Sequence, residues 1–519
     1  MKKKLLLFCL PFATTIAIAQ KSDDAAKYGS LITKEGLKQK LTIVASAEME
    51  GRETASPGQK RAAAYIEGLF KSYGLKPGNG DSYQQLYPVY QEVLTEKNLR
   101  VNGKTFEWDK NYSFPMQSII SGNIQFNNLV YVGYGNIDSA KNINDFAGLD
   151  VKGKIVMVIE SATAATAGGG RGFREPAAVT AARKNGAIGI LTVSASFPRK
   201  TPTAIKGRMT MTKPGTVPAG GTTGTLQPAN FFSATISAEI ASALMGRTHT
   251  IAFDDLKNSI KGSYQSELVI NTTKVVDNLE SSNVIAVLPG TDKKDEYVFI
   301  TGHYDHLGKA GDVIWYGADD DGSGTVSVLQ MAEAFATAAK KGNKPRRTII
   351  FITVSGEEKG LWGSDYYSSH PTINLDKASV DLNIDMVGRL DTERKTADSL
   401  NYVYVIGHDK LSSDLVGINE TANKKYTQLV LDYKYDDPND KNRIYFRSDH
   451  YNFAKKGVPI LFFYDGMLLA DYHQPTDTVD KINFELMEKR VRMIFYTGWE
   501  IANRDAMLKR DIPLNMPSR

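Results

Sequence analysis

Residues 296–305 read EYVFITGHYD and residues 347–358 read RTIIFITVSGEE. Each is a near-continuous β-branched and aromatic run that ends abruptly in a glycine followed by groups able to bind protons or metals. An uninterrupted apolar run, as opposed to an alternating one, is what a strand buried on both faces requires. The same texture recurs at NVIAVLPG (283–290), ASVDLNIDMVG (378–388), YVYVIGH (402–408) and VPILFFYDG (458–466), with the helical stretch VSVLQMAEAFATAAK (326–340) between. Strands separated by helices predict an α/β sandwich of three layers with a mixed sheet. In such sheets ligands gather just beyond the carboxyl ends of the strands. His303 and Asp305 stand there after the first run, Glu357 and Glu358 after the second, Asp385 after 378–384, and His473 on the loop after 458–464.

Between the first two runs lies YGADDDGSGT (316–325). Adjacent carboxylates repel, so Asp319, Asp320 and Asp321 belong at the surface or around a cation. A calcium loop with its glycine at Gly322 would need an oxygen ligand at 317 and Glu at 328, where the chain has Gly317 and Val328. Capping the helix that begins near Thr325 asks for one carboxylate rather than three. A pair of zinc ions about 3.5–4 Å apart gives the run a purpose, because one carboxylate can place an oxygen on each. A paired Glu-Glu then divides its labour, one member binding metal and its neighbour free as a general base.

The remaining chain sets bounds. At 519 residues more than one structural unit is expected. MKKKLLLFCLPFATTIAIAQ has a basic start, an apolar stretch and Ala17-Ile18-Ala19, so residues 1–19 read as an export signal to the periplasm or the exterior. Cys9, the single cysteine, lies in that segment, which excludes disulfides and thiolate chemistry from the mature chain. Losing Lys2, Lys3 and Lys4 takes the formal charge from +5 to +2, and nucleic acid is not an expected partner. No other segment reaches the roughly 18 apolar residues of a membrane span. Leu37, Leu41 and Val44, then Ala63, Ile66, Leu69 and Phe70, predict two helices flanking a polar Gly/Pro connection. Residues 129–251 change texture: NLVYVGYG and GKIVMVIES read as strands, AAVTAARKNGAIGILTV as a helix feeding a strand, and Arg199–Pro228 as a long loop.

GHYDHLG, GADDDGSG, SGEEKGLWGS, NIDMVGR, FRSDHYNFAKKGVP and YHQPTDT, in this order, resemble the cocatalytic dizinc aminopeptidases, and EGRETASPGQKRAAAYIEGLFKSYGLKP is similar to their N-terminal portion. The middle block resembles a protease-associated domain. The resemblance implies a discontinuous zinc-exopeptidase domain over 28–115 and 275–508, with a β-rich protease-associated domain over 120–270. It further implies two zinc ions per chain, one held by His303, Asp320 and Asp385, the other by Asp320, Glu358 and His473. Glu357 would be the general base, Asp305 would accept the second ring N–H of His303, and Tyr472 and Arg447 would contact substrate. The implied reaction is hydrolysis at the free N-terminus of a peptide by a water that the two zinc ions activate. Glutaminyl cyclases, carboxypeptidases and receptor-like binding proteins of related fold are the alternatives. His249, His306, His370, His408 and His450 have no place in the five-ligand set.

Overall fold

The computed structural model describes residues 23–116, 121–161, 175–214 and 231–516. The export signal read over residues 1–19 lies outside them, as do positions 215–228 of the Arg199–Pro228 insertion. Two compact units divide the chain, one built up to Tyr87 and from Ser281 onward, the other from Pro88 to Glu280.

In the first unit, α1 (Lys34–Val44) and α2 (Pro57–Ser72) start where Thr33 and Ser56 side chains accept the N–H groups of Gly36 and Gln59. Their inward faces carry Leu37, Leu41 and Val44, then Ala62, Ala63, Ile66 and Phe70, all buried. The sheet comprises the end of β1 (Gly262–Leu288), β2 (Lys293–His303), β3 (Arg347–Val354), β4 (Ala378–Ile384), β5 (Tyr402–Ile406), β6 (Val430–Asp432) and β7 (Ile460–Tyr464), in the order β6-β5-β7-β4-β2-β3-β1. Strands β7, β4, β2 and β3 are mutually parallel, while β5 meets β7 and β1 meets β3 antiparallel. The sheet is therefore mixed.

Alternate residues of one strand enter different cores. Val298 and Ile300 of β2 pack on the face covered by α1, α2, α3 (Gly324–Lys340), α5 (Leu415–Tyr426) and α7 (Phe484–Asn503). Phe299 packs on the opposite face with α4 (Trp362–Ser369) and α6 (His450–Ala454). Two buried faces explain why the strands read as unbroken apolar runs. Each large aliphatic side chain fully buried there contributes about 1.5–3 kcal/mol, which outweighs any strand propensity of a single residue.

The second unit is described by itself. Gly122–Tyr131, Ile155–Ile159, Gly189–Val193 and Phe232–Ile236 run parallel in that order, and the early part of β1 pairs antiparallel with the first of them. Ile155, Met157 and Ile159 face one core and Val156 and Val158 the other. Residues 88–115, expected with the first unit, lie in this one. The reason is packing: Leu94, Leu99, Val101, Phe106, Tyr112 and Phe114 are part of its core. No helix among the described residues is long and apolar enough to cross a membrane.

Candidate metal centre

Because β7, β4, β2 and β3 are parallel, their carboxyl ends open on one side of the sheet. His303 is the last residue of β2, Asp385 follows β4, and Glu357 begins a single tight turn just beyond β3. Gly356 makes that turn with φ +75°, and a Cβ there would meet the Tyr87 hydroxyl at 2.8 Å and Trp362 Cβ at 2.9 Å. His473 arrives on the loop after β7 with φ +57°. A non-glycine residue in that conformation is held by its surroundings, which is common at functional positions.

The aspartate triplet separates into three tasks. Asp319 Oδ1 accepts the N–H of Gly388 (2.8 Å). Asp321 accepts the N–H groups of His303 (3.0 Å), Met386 (3.0 Å) and Gly324 (2.8 Å), so it both ties β2 to β4 and caps α3. Asp320 alone turns its carboxylate to the histidines. Its Oδ1 lies 3.3 Å from His303 Nε2 and its Oδ2 3.1 Å from His473 Nε2. On the first side Asp385 Oδ1 is 3.7 Å from His303 Nε2; on the second Glu358 Oε2 is 3.1 Å from His473 Nε2. Asp320 is thus the shared member of two groups.

His303 Nε2, Asp320 Oδ2 and Glu358 Oε1 are buried and have no hydrogen-bond partner among the described residues. Buried polar atoms are rarely left so. Ligands around tetrahedral zinc, with bonds of about 2.0–2.2 Å, stand about 3.4 Å apart. The mixed imidazole and carboxylate donors, their spacing and their unused lone pairs all fit zinc.

Residues 283–497 match the profile of Peptidase family M28. That stretch is similar to the M28 peptidases. A probable leucine aminopeptidase of Arthroderma otae is 26% identical over 236 residues, 44% of this chain and 60% of the relative. Aminopeptidase YwaD of Bacillus subtilis is 27% identical over 241 residues, 45% of this chain and 47% of that protein. The matched region therefore spans about half of these curated relatives' length. The solved aminopeptidase from Aneurinibacillus sp. strain AM-1 is similar in fold, with a TM-score of 0.50 and 22% identity, covering 95% of this chain and all of that one. The α/β class and mixed sheet agree with that likeness.

Within this stretch the electrostatics separate the paired glutamates. Burial pushes Glu357 well above the ordinary carboxylate range; His303 opposes this, and Glu358, Asp385 and Asp449 add to it. Burial and the Asp320 charge push Glu358 up as well, but the imidazoles of His306 and His473 outweigh them and hold it at about 2. Burial alone would lower His303; Asp385, Asp305 and Asp320 raise it well above its usual value. The two neighbouring carboxyls are thus driven in opposite directions.

One expected contact differs. His303 Nδ1 lies 3.1 Å from the main-chain carbonyl of Asp305 and 3.7 Å from its carboxylate, so the carbonyl takes the ring hydrogen. The Asp305 carboxylate accepts instead from Thr54 Oγ1 (2.7 Å) and from the N–H of Glu357 (3.2 Å), which couples the loop after β2 to the turn after β3. Tyr472 and Arg447 meet at the cleft: Arg447 Nη2 donates to Tyr472 Oη (2.8 Å), and the Tyr472 ring stacks on His473 at 3.9 Å. Met386, Ile444, Phe462, Tyr464 and Leu468 line the cavity beside them.

Three groups escaped the sequence reading. Arg52, fully buried, donates to the carbonyls of Val44, Tyr304, Tyr316 and Gly317, so the polar connection between α1 and α2 braces the ligand loops. Thr54 holds Asp305. His306, set aside because the ligand count was complete, lies with Nδ1 2.8 Å from Glu358 Oε1. The signal available was its place in GHYDHLG, three residues after His303. Of the other histidines, His450 Nε2 donates to the Tyr445 carbonyl (2.8 Å) and its ring stacks on Phe462, and His370 stacks on Tyr366, so neither reaches the centre.

Proposed function

We propose that the chain is a zinc-dependent aminopeptidase holding two zinc ions and removing residues from the free N-terminus of peptides. The observation that carries this reading is Asp320, one carboxylate presenting an oxygen to each of two imidazole–carboxylate groups. His303, Asp320 and Asp385 would hold one ion, and Asp320, Glu358 and His473 the other. Zinc bound there would supply Lewis acidity toward a peptide carbonyl and make water nucleophilic at neutral pH.

The chain's own groups do the rest. Glu357 stands 3.9 Å from His303 Nε2 and binds no second partner in the ligand set, which leaves it to take a proton from water and return it to the leaving amine. Its raised proton affinity suits that exchange. Burial raises Tyr472 strongly, so its hydroxyl stays protonated and can donate to the oxygen that gains charge, with Arg447 fixing its direction. The carboxylates of Asp320, Asp385 and Glu357 favour a protonated α-amine beside the scissile bond. Apolar walls at Met386, Ile444, Phe462 and Leu468 favour an apolar N-terminal side chain.

The printed names of the Arthroderma and Bacillus relatives support an aminopeptidase over a carboxypeptidase. The second unit is read as a protease-associated domain from 151–161 and 184–193, and the lysine-rich beginning supports export. Leucyl and methionyl p-nitroanilides, offered with and without an N-acetyl group and with zinc counted per chain, test the proposal. Cleavage of the free forms alone, with two zinc ions per chain, is expected. Equal cleavage of the acetylated forms, or release only of C-terminal residues, would overturn it.

A further inference from the structure

His306 is fully buried, and neither ring nitrogen has a hydrogen-bond partner among the described residues. An imidazole taken from water without replacing its hydrogen bonds bears the full desolvation penalty. Its Nδ1 lies 2.8 Å from Glu358 Oε1 and 3.9 Å from Asp320 Oδ2. The shorter separation is within hydrogen-bond range, yet among the described residues neither Nδ1 nor Glu358 Oε1 has a hydrogen-bond partner. A cation lying between them satisfies both atoms where a proton does not.

The ring is held in place from several sides. Gly317 has φ +54°, and a Cβ there would come within 2.5 Å of His306 Cγ and Cδ2, so the glycine leaves the space the imidazole fills. The main-chain N–H of His306 donates to the Arg52 carbonyl (3.3 Å), and the ring meets His473 edge-on with centroids 5.9 Å apart. His306, Asp320 and Glu358 bring ligand atoms within 4.8 Å of one another.

We propose that His306 Nδ1 is a direct ligand of the metal at the Glu358 end, which becomes a set of two imidazoles and two carboxylates: His306, Asp320, Glu358 and His473. This rests on the two-metal reading above. Four side chains close a tetrahedral site, whereas His303, Asp320 and Asp385 supply three and leave a position open. The two ends are then unequal, and substrate engages the metal at the His303 end.

The test uses the full chain, stripped by chelation and titrated with Zn2+ against a chromophoric chelator, beside His306→Asn. An asparagine amide can still hydrogen-bond Glu358 from the Nδ1 position, so the variant separates ligation from orientation. Wild type is expected to take two zinc ions, and His306→Asn to take the first unchanged and the second more than about 100-fold more weakly, beyond the 10–100-fold that loss of an outer hydrogen bond costs. X-ray absorption of the loaded wild type, which needs no variant, is expected to count three imidazoles over two zinc ions. A count of two, or an unchanged second affinity in His306→Asn, overturns His306 as a ligand and leaves the two-metal reading standing. A single zinc in the wild type, matched by the variant, overturns both.

Discussion

Two clusters in the first unit have the same ingredients and opposite character. One is His303 with Asp320 and Asp385; the other is His408 with Asp409 and Asp436. Around Asp436 every lone pair is used: it accepts from the N–H groups of Gly407 and His408, from His408 Nδ1, and from Lys410 Nζ at 2.8 Å. His408 is further stacked on Tyr433 with centroids 3.7 Å apart. Around Asp320, by contrast, no lysine or arginine among the described residues forms an ion pair, and buried acceptor atoms remain unused. Residue type does not distinguish a metal centre from a structural ion cluster. The balance of lone pairs and charge does.

The strongest way to break this contrast is Asp320→Ala. The variant is expected to lose both zinc ions and all measurable turnover, since the shared carboxylate is removed from both groups. Metal analysis after desalting checks it; two tightly retained zinc ions would end the claim that Asp320 is shared. Next in size is Glu357→Gln, which removes the proposed proton acceptor and keeps the shape. Turnover is expected to fall about a hundredfold to ten thousandfold with zinc content unchanged. Near-normal turnover would mean that another group takes the proton. Tyr472→Phe, deleting one donor to the developing oxyanion, is expected to cost kcat about a hundredfold with little change in KM. A change confined to KM would assign Tyr472 to ground-state binding.

Much of the first unit was legible because fully buried strands cannot hide: the stretches 298–300 and 349–352 are wholly apolar and leave no side chain to face water. The placement of His303, Glu357, Glu358 and Asp385 followed from the geometry of parallel strands, which brings carboxyl ends together whatever the loops do. Other features depended on lone pairs and directions that a string of letters does not carry. His306 was excluded by counting residues, whereas its place turns on the 2.8 Å between its Nδ1 and Glu358 Oε1. Arg52 looked like part of a solvated connection and is buried because the carbonyls of Val44, Tyr304, Tyr316 and Gly317 converge on it. Asp321 shows that one rejected alternative was partly right, since it caps α3 while its neighbour faces the histidines. The boundary at 88 was missed because Leu94, Leu99 and Phe106 are spaced like any strand, and which core they join is a tertiary choice.

The smallest expected effect tests the other side of the comparison. Burial raises the Asp436 carboxyl, but His408 and Lys410 outweigh it, and its pKa lies below the ordinary value. A depressed carboxylate pKa contributes stability that is fully present above the unfolded value of about 3.9 and is lost as pH falls through the folded one. Asp436→Asn removes that contribution. It is expected to lower unfolding free energy by about 2 kcal/mol at neutral pH, as for a hydrogen-bonded charge lost from a buried site, with zinc content and turnover untouched. Urea unfolding of wild type and variant should show a constant difference from pH 7 down to about 4 and a narrowing gap below that. Loss of zinc in Asp436→Asn would mean that the two clusters are coupled and that the lysine-filled one is not independent of the metal centre.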